Sequence, residues 1–142
     1  MHRARGFTLL EMLVVIVLIG VAAGLVGYGM QHGLHNASER KVVVRMVEAL
    51  RATRVQAIVT GQPARTHFDL AGHHFKAPGK GVQQWPADMN VQLHTAADLG
   101  AAFEFYPDGG ASGGHLLLDD GQQHWRIDVS WLTGAVNLQA VR

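Results

Sequence analysis

The feature that most constrains this chain is an uncharged apolar run close to its start. The 19 residues 12–30 carry no charge, and residues 7–10 extend the run on the other side of Glu11. A helix needs about 20 apolar residues to span a bilayer, so the sequence predicts a transmembrane helix over residues 7–30. An acidic residue at mid-helix costs about 2.5–3.5 kcal/mol on insertion scales. Glu11 is therefore a functional candidate that needs a partner.

The residues around Glu11 resemble a known processing signal. The string G-F-T-L-L-E at residues 6–11 is similar to the class III signal of type IV pilins and type II secretion pseudopilins. This resemblance implies that a prepilin peptidase removes residues 1–6 by cutting between Gly6 and Phe7, and then methylates the Phe7 amine. It also implies that Glu11 pairs with the N-terminal amine of a neighbouring subunit. An α-amino group has a reference pKa of about 8 and is largely cationic at neutral pH.

An ordinary secretory signal is the alternative for the same segment. Residues 1–5 would be its basic region, residues 12–19 its apolar region and Val21-Ala22-Ala23 its cleavage site. The mature chain would then start at Gly24. Against this, Glu11 interrupts the transition into the apolar region, and the apolar run continues past the expected cut.

Charge and cysteine content narrow the classes of function. Loss of residues 1–6 would leave 10 Lys and Arg against 11 Asp and Glu, so the mature chain has no global attraction to nucleic acid. The absence of cysteine excludes disulfides and thiolate metal sites. Basic residues flank the apolar run on both sides, so the positive-inside count is close to a tie. The resemblance decides the orientation: a single-pass protein of the bacterial inner membrane, N-terminus cytoplasmic, with its C-terminal domain periplasmic.

Two glycines within the apolar run are candidates for helix packing. Gly20 and Gly24 form a G-x-x-x-G, and small residues at this spacing let helices approach closely in lipid. Glycine is also common in membrane helices, and the spacing alone does not decide between these explanations.

The helix is expected to continue as an amphipathic segment over residues 31–60. Apolar residues recur there at helical spacing. The predicted buried stripe is Val43, Met46, Val47, Leu50, Ala57 and Ile58. The predicted solvent face carries Arg40, Lys41, Arg45, Glu48, Arg51 and Arg54. Gly61 and Pro63 are expected to end the helix at Thr60, and Ser38 would be an N-cap if this segment were a separate helix.

The remaining residues, 61–142, are predicted to form an antiparallel β domain. Short strand-like stretches alternate with glycine-rich turns at residues 64–70, 73–76, 91–94, 103–106, 115–118, 125–130 and 135–138. Asp120-Gly121 is typical of a hairpin turn. Only 82 residues follow Thr60, so the helix stripe is expected to complete the core. The predicted fold class is α+β: a long N-terminal transmembrane helix packed on a C-terminal antiparallel β-sandwich, as in pilins.

The β domain carries a second resemblance. F-Y-P-D-G-G-A-S-G-G at residues 105–114 and L-T-G-A-V at residues 132–136 are similar to the domain shared by H-type minor pseudopilins and FimT/FimU minor pilins. Trp85-Pro86 looks more like the secretion pseudopilin. The resemblance implies a non-enzymatic minor subunit of the periplasmic pseudopilus, which helps a type II secretion system export folded proteins across the outer membrane. Its implied partners are other minor and major pseudopilins, the prepilin peptidase and inner-membrane lipid, with no cofactor and no small-molecule substrate.

Two other functions remain as alternatives. A minor pilin of a type IV pilus could touch DNA through the basic residues 40–54, although the near-neutral chain disfavours nucleic acid. A soluble β domain that binds a ligand would go with the secretory-signal interpretation.

Three further sequence patterns are explained better by turns and strands than by a catalytic or metal-binding role. The G-x-S-x-G around Ser112 is followed by a strand-like stretch, whereas a hydrolase elbow needs a helix there. The nine histidines show no H-x-H or H-x-x-x-H spacing typical of zinc sites. Asp119 and Asp120 fit a hairpin turn better than a calcium loop. The sequence therefore predicts no catalytic residue and no metal ligand.

Overall fold

The computed structural model describes residues 9–141, apart from the side chains of residues 26–38. Gly6, Phe7 and the leader that they delimit lie outside the described residues. In chain order the described elements are α1 (Leu9–Thr60), β1 (Ala64–Asp69), β2 (His74–Lys76), β3 (Gln83–Gln84), β4 (Asn90–His94), β5 (Ala102–Phe105), β6 (Gly114–Asp119), β7 (His124–Val129) and β8 (Val136–Val141). The chain divides into two compact units, Met1–Ser38 and Glu39–Arg142.

Helix α1 runs without interruption from Leu9 to Thr60. Ser38 therefore does not cap a separate helix, and the helix is not broken between Gly24 and Gly33. Its predicted end is confirmed: Gly61 has a φ of +66°, a left-handed conformation that glycine adopts without steric cost.

In the second unit, one face of α1 forms part of the core. Its buried side chains are Glu39, Val42, Val43, Met46, Val47, Ala49, Leu50, Thr53 and Ala57. The predicted stripe is thus confirmed except at Ile58, which is 43% exposed. Ile58 lies one turn after the half-buried Arg54, on the flank of the buried face. The buried hydroxyl of Thr53 donates to Ala49 O at 2.8 Å and forms a second hydrogen bond, of 2.7 Å, with the Thr66 hydroxyl of β1, so both buried threonine hydroxyls are hydrogen-bonded.

The strands form two antiparallel sheets of four strands each, with the orders β3-β2-β1-β5 and β4-β6-β7-β8. The predicted sandwich is confirmed, and most predicted strands lie within one or two residues of the observed ones. The sequence did not predict β3, because two polar residues carry no periodicity. It also ended β8 at residue 138, whereas pairing with β7 extends this strand to Val141.

Aromatic side chains fill the core beside β1. Phe68, Phe75 and Trp85 pack together, with the Phe68 and Phe75 rings stacked at 5.7 Å. Phe103 of β5 is completely buried and meets the Phe68 ring edge to face at 6.0 Å. These rings belong to one hydrophobic cluster with the buried side chains of α1.

The turn between β6 and β7 uses both aspartates of the predicted hairpin. The Asp119 carboxylate accepts the backbone N–H of Gly121, and the Asp120 carboxylate accepts those of Gln122 and Gln123. Burial is the largest single influence and raises the pKa of Asp120, but the hydrogen bonds with the backbone of Gln123 and Gln122 and with the Glu39 side chain together outweigh it, so that pKa lies below its usual value. Both aspartates thus accept backbone N–H groups of the turn.

Two histidines meet on the β4–β6 ladder. His94 and His115 are register partners, and their rings stack at 4.5 Å between centroids. Burial lowers the pKa of the His115 imidazole, and the charge of Arg126 and the neighbouring His94 lower it further.

We expect Phe103→Ala to lower the free energy of unfolding by about 3–5 kcal/mol, because it removes a fully buried ring and leaves a cavity. Denaturant unfolding followed by the fluorescence of the buried tryptophans measures the change. Val82→Ala is the control, because Val82 is 56% exposed and its truncation should cost less than about 0.5 kcal/mol. A similar cost for both variants would contradict the described core.

We expect the stability of the domain to fall as pH drops below the unfolded-state His pKa of 6.5. Because the folded-state pKa of His115 is lower than this value, the unfolded chain binds more protons in that window. The loss is complete once pH has passed below the folded-state pKa. The denaturant midpoint is measured at several pH values between about 7.5 and 5. It should fall less steeply with decreasing pH for His115→Gln than for the natural chain. Identical slopes would rule out this contribution.

Candidate assembly surface

The described side chains near the start of α1 form an apolar surface on every side of the helix. The large exposed ones are Leu9, Leu10, Met12, Leu13, Val14, Val15, Ile16, Val17, Leu18, Ile19, Val21 and Leu25. Their exposed fractions range from 41% at Val15 to 87% at Leu9. A helix that is apolar all round is normally covered, either by lipid or by other protein.

Glu11 is the acidic residue in the first turn of α1, and its side chain is exposed. The N-terminus of a helix carries a partial positive charge, which stabilises a nearby carboxylate by about 0.3–1 kcal/mol. The residues next to it, Leu10 and Met12, are exposed apolar side chains. Among the described residues 9–25, Glu11 is the one with an acidic or basic side chain.

Gly20 and Gly24 lie on this same surface. A Cβ atom added at either glycine would meet nothing within 4 Å. Contacts among the described residues therefore do not require glycine at these two positions.

The other residues of the predicted processing site, Gly6 and Phe7, lie outside the described residues. The expected membrane segment 7–30 is described only in part. Within the described part of the chain, no stretch of helix combines the length and the apolar character that a membrane span requires.

The second motif of the sequence has a structural role in the β domain. Arg54 of α1 donates from Nε to Gly109 O at 3.0 Å, and Ala111 N donates to Trp131 O at 3.0 Å. Gly134 has a φ of +63°, and a Cβ there would collide with Gly109 O. The two glycine-rich segments thus contact each other, and one of them also contacts α1. These contacts give both segments of the sequence motif a structural role.

Ser112 lies in this same region and is part of the sheet framework. Its N–H donates to Glu104 O at 2.8 Å, and its hydroxyl accepts the Glu104 N–H at 3.2 Å. Strand β6 begins two residues later, at Gly114, where a nucleophile elbow would have a helix.

Two arginines that the sequence assigned to the solvent face make contacts that it did not predict. Arg51 donates from Nη2 to Val136 O of β8 at 2.9 Å, and Arg54 holds Gly109 as described above. Helical spacing places these arginines one turn apart, but nothing in the sequence identifies a carbonyl as their acceptor. Arg40, Lys41 and Arg45 are exposed as predicted.

The described histidines and acidic residues do not converge on a metal site. His94 and His115 come together, but the described residues contain no group of three His, Cys, Asp or Glu suited to holding a metal ion. Two surface cavities on the β domain have volumes of about 190 and 230 Å³. Both are smaller than the roughly 300–1,000 Å³ of typical small-molecule sites. The exposed helix is therefore the better candidate for function.

Comparison with known families agrees with both sequence motifs. The prokaryotic N-terminal methylation motif matches residues 1–27, and the family of the type II transport protein GspH matches residues 43–134. The first covers the apolar segment that contains Glu11. The second covers the buried half of α1 and most of the β domain. Together, the methylation motif and the family indicate a membrane-anchored periplasmic protein.

Several known proteins are similar to the chain. The type II secretion system protein H of Xanthomonas campestris is 36% identical over 147 aligned residues, which cover 99% of this chain and 86% of that protein. The type II secretion system core protein G of Klebsiella pneumoniae is 49% identical over 138 aligned residues, covering 91% of this chain and 84% of that protein. Protein G belongs to the same machinery, whereas the family that matches the β domain is that of protein H.

A solved structure supports the fold. The minor pseudopilin EpsH from the type 2 secretion system of Vibrio cholerae superposes with a TM-score of 0.56 at 14% identity, covering 72% of this chain and 97% of that one. Pseudopilins of this family are structural proteins that assemble with other pseudopilins. With its methylation motif, its matching domain and its similarity to protein H over nearly the whole length, the chain belongs to the GspH family and is a minor pseudopilin of a type II secretion system.

Proposed function

We propose that this minor pseudopilin is cleaved between Gly6 and Phe7, methylated at Phe7, and built into the periplasmic pseudopilus through its N-terminal helix. In this proposal the N-terminus faces the cytoplasm, residues 7–30 span the inner membrane, and the β domain lies in the periplasm. The pseudopilus drives folded proteins across the outer membrane. This chain acts as a structural subunit of it and carries no catalytic group of its own.

The observation that supports this proposal is the exposed Glu11 on an exposed apolar helix. In lipid, its carboxylate would cost about 2.5–3.5 kcal/mol at the helix centre. The helix terminus offsets only about 0.3–1 kcal/mol of that cost. We propose that the α-amine of Phe7 in a neighbouring subunit brings a positive charge to this carboxylate. Because a charge pair in an apolar setting is costly when either partner is missing, the pair fixes the axial position of one helix against the next.

Gly20 and Gly24 support the same assembly. Neither glycine is needed for contacts within the described chain, and close helix approach in lipid is the role that G-x-x-x-G is known to have. We propose that these two glycines face another pseudopilin helix.

We expect the mature protein to start at Phe7 with one added methyl group on its amine. N-terminal sequencing together with intact-mass measurement of the protein from its native membrane checks both points. Gly6→Ala should block cleavage and leave residues 1–6 attached. A mature chain that starts at Gly24 would instead support the ordinary secretory signal.

We expect Glu11→Ala to leave cleavage intact but to reduce incorporation into the pseudopilus by roughly tenfold or more, since the neighbour's amine then lacks its counter-charge. Incorporation is measured by the amount of the chain that co-isolates with assembled pseudopili, and cleavage by intact mass. Glu48→Ala is the control, because Glu48 is an exposed carboxylate of the second unit. Normal incorporation of Glu11→Ala would contradict the charge pair.

A further inference from the structure

Strand β8 is an edge strand without the usual protection. It is the last strand of the sheet β4-β6-β7-β8, and residues 137–141 are exposed. Its sequence, V-N-L-Q-A-V, contains no charged residue and no proline. Natural proteins usually blunt an exposed edge with charges, proline, bulges or a covering segment, because its free backbone groups pair with other strands.

The other sheet edges are shorter or occupied. The free side of β5 is taken by the segment that follows it, where Ser112 N donates to Glu104 O and Tyr106 N donates to Gly110 O. Strand β3 has only two residues. Strand β4 ends in His94, an ionisable residue stacked on its neighbour. Among the described strands, β8 thus offers the longest uncharged edge.

The register identifies which backbone groups of β8 face outward. Ser130 N donates to Ala135 O, so this pair is hydrogen-bonded. Hydrogen-bonded and non-bonded pairs alternate along an antiparallel ladder. Asn137 and Gln139 therefore bond to β7, whereas Val136, Leu138 and Ala140 direct their N–H and C=O groups away from it. The contact between Arg51 and Val136 O confirms this alternation, because a donor from outside the sheet reaches that carbonyl.

The side chains of β8 indicate what kind of segment fits beside it. Leu138 is the register partner of the buried Ile127, so it lies on the core side of the sheet, yet it is 38% exposed. Asn137 and Gln139 give the opposite face neutral polar groups. Arg51 is the charged residue that contacts the edge, at its Val136 end, and a guanidinium has donors beyond the one that this carbonyl uses.

We propose that β8 accepts an extended segment of a neighbouring pseudopilin as an added strand. This inference rests on the proposed assembly role. The added strand pairs with the backbone of Leu138 and Ala140. It places apolar residues beside Leu138 and uncharged polar residues beside Gln139. A carbonyl or carboxylate group at its end lies near Arg51. A lipid surface or DNA fits less well, because the free groups are alternating backbone donors and acceptors and the strand itself has no cation.

Proline at position 140 tests the proposal directly. The Ala140 N–H takes no part in the β7–β8 ladder, so Ala140→Pro removes the outward donor and leaves the internal hydrogen bonds in place. We expect the variant to fold, but its incorporation into the pseudopilus to fall by roughly tenfold. Ala140→Ser is the matched control, since it keeps the N–H and should incorporate normally. Normal incorporation of Ala140→Pro would overturn the proposal.

Hydrogen exchange gives a second readout that needs no variant. In the full-length chain in detergent, the amides of Leu138 and Ala140 should exchange fast, while those of Asn137 and Gln139 are protected by β7. Adding the purified other pseudopilins of the same system should slow exchange at Leu138 and Ala140 by at least tenfold. Unchanged exchange at these two amides in a complex that has formed would overturn the proposal even if Ala140→Pro failed to fold.

The outcomes separate this inference from the assembly role itself. If Glu11→Ala is not incorporated into the pseudopilus but Ala140→Pro is incorporated normally, only the strand-acceptor role is overturned. A natural chain that never co-isolates with pseudopili would contradict the assembly role and the strand-acceptor role together.

Discussion

The β domain depends on the burial of one face of α1. Between residues 42 and 57 this face contributes Met46 and Leu50, both without exposed surface, to the same cluster as Phe103 and Leu116 from the two sheets. Each fully buried side chain of this size contributes about 1.5–3 kcal/mol of transfer free energy. Two four-stranded sheets of short strands bury too little apolar surface on their own, so the helix is an integral part of the core. The Thr53–Thr66 hydrogen bond then helps to fix the position of β1 along the helix, because a shift would take this partner away from the buried Thr66 hydroxyl.

The first described residues of α1 differ from this buried face in their exposure. Their apolar side chains are exposed, and at about 1.5–3 kcal/mol each a dozen such residues represent a large free energy that burial would recover. Such a surface selects for a covering environment, but it does so without direction, since the hydrophobic effect depends on area and not on geometry. In the proposed assembly, the pairing of Glu11 with a neighbour's amine supplies that geometry. A charge pair has one favourable arrangement and many costly ones, so it would set the axial position of a helix that apolar contacts alone leave free to slide.

The sequence predicted those parts of the fold that follow from periodicity and from turn chemistry. The helix stripe and its end at Thr60 follow from spacing and from Gly61, and the β6–β7 turn follows from Asp120-Gly121. It missed features that depend on tertiary contact. Ile58 has helical spacing but lies on the flank of the packed face, and Arg51 finds a carbonyl 85 positions away in sequence. The pairing of His94 with His115 depends on strand register, which a single sequence without a short connecting turn does not determine.

Assembly of a minor subunit requires both affinity and selection among similar partners. The N-terminal segment matches a general prokaryotic methylation motif and lies outside the match to the GspH family, so it would not by itself select one neighbour over another. Selection needs contacts whose geometry differs between subunits. A strand edge meets this requirement, because its donors and acceptors accept one register and one direction, and a slip of one residue exchanges the two faces of the added strand. The absence of charge on β8 means that nothing in its side chains opposes such pairing. In the proposed strand addition, the edge supplies the choice of partner, which axial alignment by Glu11 does not provide.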